Sequence, residues 1–179
     1  MAGVLLWAGL AGAQTTLRID PGQSEVSFTL GDVLHTVRGT FQVADGEVKF
    51  DRKTSEVSGE INVSAGSGKS GNDTRDHRMS KDVLEVGKFA AVSFKPQQML
   101  GTIAESGDSN VEVSGTFTVH DSSHPLKVPV SVHIEGGRYV AKTHFVVPYV
   151  QWGMKDPSTF VLRVAKEVSI DLTLVGKIE

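Results

Sequence analysis

From Leu17 onward, apolar residues return at every second position in run after run. "EVSFTL" places Val26, Phe28 and Leu30 in one phase, and "VRGTFQV" does the same with Val37, Gly39, Phe41 and Val43. "GEVKF" offers Val48 and Phe50, "GEINVS" Ile61 and Val63, and "AVSF" Val92 and Phe94. "VEVSGTFTV" aligns Val111, Val113, Phe117 and Val119; "LKVPVSVHI" aligns Leu126, Val128, Val130, Val132 and Ile134. "RYVAKTHFVV" is weaker, with Tyr139, Ala141, Phe145 and Val147, and "EVSIDLTLV" closes with Val168, Ile170, Leu172 and Leu174. A period of two sends alternate side chains to opposite faces of an extended strand, one buried and one wet.

Turn signals separate the runs at Asp45-Gly46, residues 51–55, Gly107-Asp108, residues 121–125 and Gly136-Gly137. One segment reads as helix: "SKDVLEV", residues 80–86, with Ser80 as cap and Val83, Leu84 and Val86 able to dock. "SAGSGKSGN", residues 64–72, reads as a flexible loop. The expected class is all-β, with about eight or nine antiparallel strands in meander order and one short helix. A sandwich and a closed barrel both fit. Strand length favours the barrel, since several runs reach about ten residues. So do Gly39, Gly59 and Gly115, which share the phase of the inward residues and suit strands that coil sharply or leave room inside.

Composition narrows the function. The chain has no cysteine, which excludes disulfides, thiolate metal sites and thiol nucleophiles. A net charge of −3 gives no electrostatic basis for binding nucleic acid. There is no Gly-x-Ser-x-Gly, and Ser, His and Asp are scattered without the strand-turn-helix setting a nucleophile needs. "GSGKS", residues 66–70, lacks the first glycine of a phosphate-binding loop. The chain is expected to be no enzyme and to need no cofactor.

The N-terminus carries "AGVLLWAGLAG", ending in a small-x-small pattern at Ala11-Gly12-Ala13, although no Lys or Arg precedes it. It is shorter than the roughly 20 residues a spanning helix needs. Residues 1–13 are therefore expected to be a cleaved signal peptide, with residues 14–179 as one barrel domain. The expected location is periplasmic or secreted.

An ordered series of motifs resembles the YceI-like family. It comprises "IDPGQSEVSFTL", "TVRGTFQVADGEVKFD", "GNDTRDHRMSKDVLEVGKFAAVSF", "VSGTFTVHDSSHPLKVPVSV" and the closing "EVSIDL". Family differences fall on loops that would rim a barrel mouth. Ala90 stands where a proline is usual, Asp121 where a glycine is usual, and Arg78 where a histidine often follows the Arg-Asp pair. Trp152-Gly153-Met154 replaces the more usual Phe-Gly-Ile neighbourhood. The resemblance implies a lipocalin-like β-barrel that binds a polyisoprenoid lipid, and a long-chain isoprenoid or quinone as partner. Transient membrane contact and a homodimer through strand edges are open to a barrel of this class.

Candidate sites follow. On composition alone, inward phenylalanines fill a solid core; the resemblance implies an apolar tunnel instead. Its lining would be Phe28, Leu30, Phe41, Val43, Ile61, Val63 and Phe94. Phe117, Val119, Val130, Val132, Phe145, Ile170 and Leu172 would complete it. A tail of roughly forty carbons would gain some 30 kcal/mol gross at ~0.8 kcal/mol per carbon, beyond the ~20 kcal/mol at which affinities saturate. Because its alternative is a membrane, such a lipid is suited to exchange. Arg75, Asp76, Leu84 and Trp152 are expected at the lid or mouth. There Asp76 or Ser80 would cap the short helix, and Arg75 would pair with Asp73 or a strand carboxylate. The alternative reading is a periplasmic metal-binding or stress-response protein with a filled barrel, its metal shared by His120 and His124 across a hairpin. His133 and His144 are expected to face each other across Gly136-Gly137, pointing outward without carboxylate partners.

Overall fold

The computed structural model describes residues 14–31, 36–159 and 163–179. Among the described residues there are nine strands: β1 (Gln14–Ile19), β2 (Glu25–Gly31), β3 (Thr36–Asp51), β4 (Val57–Lys69), β5 (Ala91–Leu100), β6 (Gly107–Val119), β7 (Ser122–Glu135), β8 (Arg138–Val147) and β9 (Val168–Ile178). From β2 to β9 each strand pairs antiparallel with the next, and β9 returns to β2, pairing Ile170 with Phe28. The sheet therefore closes on itself, and the sandwich is excluded. β1 continues the line of β2 between the same two neighbours, with Leu17 opposite Val48 of β3 and Ile178 of β9. The result is an eight-staved up-and-down barrel, one stave of which is made of two short strands.

Four local expectations change. Asp45-Gly46 is not a turn: β3 runs through it, with register shifts between Thr40 and Gln42 and between Val43 and Asp45. A long stave must coil to close a barrel, and bulges supply the bend. Residues 64–69 are strand rather than loop, with Ser64 opposite Gln42 and Lys69 opposite Thr40. Their small side chains admit neighbours: a Cβ on Gly68 would lie 2.5 Å from the Met79 methyl. The turn expected at residues 121–125 is only His120-Asp121, both at positive φ (53° and 58°), as a two-residue hairpin requires. The helix begins earlier than expected, as α1 (Asp73–Arg78), and continues into a π-helical turn, Met79–Val83. Its cap is Asn72, whose side-chain oxygen accepts from the Arg75 N–H at 3.0 Å.

Inward glycines sit where strands cross most tightly. A Cβ on Gly115 would lie 2.3 Å from the Lys95 carbonyl oxygen, and one on Gly39 would meet the Lys69 carbonyl at 2.2 Å and the Phe28 ring at 2.5 Å. The two ends of the barrel differ. One is packed solid by Leu17, Val43, Phe50, Met99, Val132, Ile134, Tyr139 and Leu174. The other is gathered around Phe117, Val119, Val147, Tyr149 and Met154, with the α1 segment beside it.

Candidate ligand cavity

The second end encloses a cavity of about 490 Å³. Alternation along β2 brings Val26, Phe28 and Leu30 to it; β6 contributes Phe117 and Val119, and β9 contributes Val168, Ile170 and Leu172. Phe41, Ile61, Val63, Phe94 and Phe145 complete the apolar wall, with Phe28 and Phe41 ring centroids 5.4 Å apart. Eleven of the fourteen residues read as inward tunnel lining thus stand at this cavity. The other three do not. Val43 and Val132, 3% and 4% exposed, belong to the packed end, and Val130 rests against it. Alternation reports which face a residue takes but not its height along the barrel axis, so the same phase serves wall and plug.

Sequence reasoning missed the roof. Met79 and Val83 from the π-helical turn, Leu84 just after it, and Tyr149 and Met154 from the segment after β8 all line the cavity. Of these the sequence marks Val83 and Leu84 as able to dock and Leu84 alone as part of the mouth, because irregular segments carry little period to read. Tyr149 is tied down by its hydroxyl, which donates to the Ala165 carbonyl at 2.6 Å. Burial, and then the charge of Asp156, push that phenol up to about 12.

Arg75 and Asp76 converge on one residue, Ser70, at the end of β4. The buried Asp76 carboxylate accepts from the Ser70 N–H at 2.8 Å and from its hydroxyl. Arg75 donates Nε–H to the same hydroxyl at 2.7 Å and Nη2–H to the Ser70 carbonyl at 2.8 Å. The Ser70 hydroxyl lies first among the causes that hold Asp76 below its ordinary carboxylate range. Neither expected pairing forms: Asp76 caps no later helix, and Arg75 engages Ser70 rather than Asp73 or a strand carboxylate. Hydrogen bonds between neighbours brought together by a tight chain reversal outcompete a solvated ion pair. Arg75 and Arg78 are exposed and also line the cavity, so the cavity reaches the surface beside α1.

Trp152 stands behind the wall instead of in it. Its ring stacks on His124 (centroids 4.0 Å apart, 5° between planes) and packs against Phe117 at 5.7 Å. His120 turns elsewhere: Nε2 is 2.7 Å from the Glu85 carboxylate, and Phe89 lies on its ring at 4.3 Å. The two imidazoles expected to share a metal are therefore engaged with different partners. Among the described residues no group of three or more His, Asp or Glu is placed to hold a metal ion. His133 does not face His144; it opposes Val140 and sits 2.7 Å from Asp108, while His144 opposes Asp171 at 2.8 Å. Both have the carboxylate partners that hairpin arithmetic did not show, because those partners come from the strands on the other side.

Among the described lining residues there is no imidazole or carboxylate; the wall offers apolar surface, hydroxyls, an amide and two guanidiniums. A closed meander barrel with an apolar hollow at one end is the architecture of the lipocalin-like binding barrels. The YceI-like domain matches residues 17–176, and the chain belongs to that family. A UPF0312 protein of Pseudomonas fluorescens strain Pf-5 is 33% identical over 103 residues, 56% of this chain and only 52% of that relative. A second UPF0312 protein, from strain SBW25, is 28% identical over 78% of this chain and 73% of its own length. Burkholderia cenocepacia BcnA shares the fold with a TM-score of 0.74 at 19% identity, over 89% of this chain and 99% of BcnA. A polyisoprenoid binding domain from Saccharophagus degradans does so at 0.67 and 14%, over 91% and 98% of the two chains.

Proposed function

We propose that this chain binds a polyisoprenoid or similar amphiphilic lipid by its apolar tail, and carries or stores it without catalysis. The observation that carries this reading is the cavity of about 490 Å³, walled almost wholly by apolar side chains and reaching the surface beside α1. A volume of this order is that of a small-molecule site. Each tail carbon moved from water into it is worth roughly 0.8 kcal/mol, but a tail leaving a membrane was already in an apolar medium. Binding from a membrane is then nearly balanced, which suits pick-up and release across an aqueous gap. Membership of the YceI-like family and the shared fold of the Saccharophagus degradans domain support the ligand class. The signal-like residues 1–13 support a periplasmic or secreted location, and a quinone is a ligand of the same tail chemistry. Native mass spectrometry of protein purified from its own host tests the reading. A mass increment that extracts into organic solvent as an amphiphile is expected. A bare polypeptide mass, with no uptake of prenyl lipids added from vesicles, would overturn it.

A further inference from the structure

The depth and charge of the cavity restrict its occupant further, an argument that rests on the lipid-binding reading above. We infer that the cavity is a blind pocket for a single-tailed anionic amphiphile, a carboxylate or phosphate on one chain of about sixteen carbons or fewer. Three observations converge on this.

The first is the floor. Below Val26, Ile61, Val128 and Leu172 the barrel is filled by Val43, Val132, Leu174 and Met99, with Phe50 and Tyr139 only 1% and 2% exposed. A tail entering beside α1 has no exit at the far end. The second is volume: about 490 Å³, at the ~30 Å³ of one water-sized group, holds some sixteen such groups. A methylene is close to that size, so a longer tail, or a second one, has to stay outside. The third is charge. Among the described residues that line the cavity, the charged ones are Arg75 and Arg78 alone, both cationic and both exposed at the rim. Their spacing places them on one face of α1. Arg75 is committed in part to Ser70, whereas the Arg78 guanidinium has no hydrogen-bond or ion-pair partner among the described residues. A planar fork of N–H donors matches the oxygens of a carboxylate or phosphate. Asn72 and Thr74 stand beside it on the same rim.

The test is a binding series on the delipidated full chain, read by displacement of a fluorescent amphiphile. Straight-chain carboxylates are expected to tighten about fourfold per added methylene, the equivalent of ~0.8 kcal/mol, and to level off near sixteen carbons. Val128→Phe, which fills the deep end, should move the break to shorter tails. The methyl ester of the tightest acid should bind at least about tenfold more weakly, as the loss of a charge-assisted hydrogen bond implies. Arg78→Gln should weaken the acid and so erase most of that difference. An alkyl phosphate of equal tail length, set against the carboxylate, decides between the two anionic head groups. Affinity that keeps rising to a tail of roughly forty carbons would overturn the blind pocket, and equal binding of acid and ester would overturn the cationic rim. Failure of every amphiphile to bind would instead sink the lipid-binding reading itself.

Discussion

His120 Nε2 lies 2.7 Å from the Glu85 carboxylate, and both residues hold positive φ, 53° and 45°. Two side-chain-bearing residues in the left-handed region are costly, yet their contact joins the β6–β7 hairpin to the segment that follows the π-helical turn. Phe89 covers the same imidazole. The contact is the rear fastening of the roof, as Ser70 is the front. His120→Ala should leave the barrel folded and speed amide exchange selectively in residues 79–90. Exchange unchanged there, measured by mass spectrometry, would show that the roof is held by its apolar contacts alone.

Glu85 also gives the fastening a pH dependence. Its carboxylate is held below the ordinary 4.5, first by the hydrogen bond from Lys88 and then by that from His120. A carboxylate depressed in the folded state stabilises above its unfolded pKa, and the contribution is lost as pH falls through the lower folded value. Protection of the roof segment against exchange, corrected for the intrinsic pH dependence of the exchange rate, should therefore fall in the native chain as pH drops below about 4.5. Glu85→Gln, already lacking the charge, should show a flatter response over the same window.

The Ser70–Asp76 pair makes a stronger claim, because Asp76 is buried. Asp76→Ala strands the Ser70 N–H and the Ser70 hydroxyl, which Arg75 orients by donating Nε–H to it. A cost of about 1–3 kcal/mol is expected from leaving buried partners unmade, read as a fall in the urea midpoint. Asp76 is likewise held below its ordinary 3.8, so its share of stability is present above that value and fades as pH falls further. Asp76→Asn should abolish that acid-limb dependence. A midpoint that stays at the native value in Asp76→Ala would mean the hook is solvated and dispensable.

Gly39 and Gly115 test barrel closure. With carbonyl oxygens 2.2 and 2.3 Å from where their Cβ atoms would stand, neither site can take alanine without moving backbone. Gly39→Ala and Gly115→Ala should each cost about 1–3 kcal/mol, seen in thermal unfolding. Gly71→Ala is a control for left-handed backbone without crowding: φ is 78° and nothing lies within 4 Å of its Cβ position. If Gly115→Ala melts with the native chain, the strand crossing there is looser than its geometry.

These glycines also mark what the sequence makes legible. Strand identity, meander order and closure follow from period two and from glycines in the inward phase, because both are imposed residue by residue along a stave. The placing of α1 does not follow, since Arg75, Asp76, His77 and Arg78 have no apolar rhythm and the deciding contact is with Ser70, outside the helix. Nor does the boundary between wall and plug. Val128 faces the cavity and Val130, in the same phase, lies below its floor. Height is set by the shear of eight staves, a property of the closed sheet that no single strand encodes. The histidines show the same limit. His133 and His144 find Asp108 and Asp171 on their outer neighbours, and hairpin spacing speaks only of the inner one.

Tyr149 carries the last prediction, since it belongs to both wall and roof. Its hydroxyl donates to the Ala165 carbonyl at 2.6 Å, and Ala165 N–H in turn donates to the Gly31 carbonyl at 2.8 Å. The segment after β8 is thereby linked back to β2 across the cavity. Tyr149→Phe keeps the ring in the wall and deletes that one hydrogen bond, at an expected cost of about 0.5–1.5 kcal/mol. The phenol is raised from 10.0 to about 12. A phenol whose pKa is raised in the folded state favours folding as long as the unfolded phenol would stay protonated. Below its unfolded pKa the contribution is fully present, and it is lost as pH rises from 10.0 toward 12. Tyr139, raised by burial at the packed end, adds to the same alkaline limb. Chemical denaturation across that range should therefore show a steep loss in the native chain and a shallower one in Tyr149→Phe, the residue left being Tyr139. Equal slopes would show that burial does not hold the Tyr149 phenol protonated in solution.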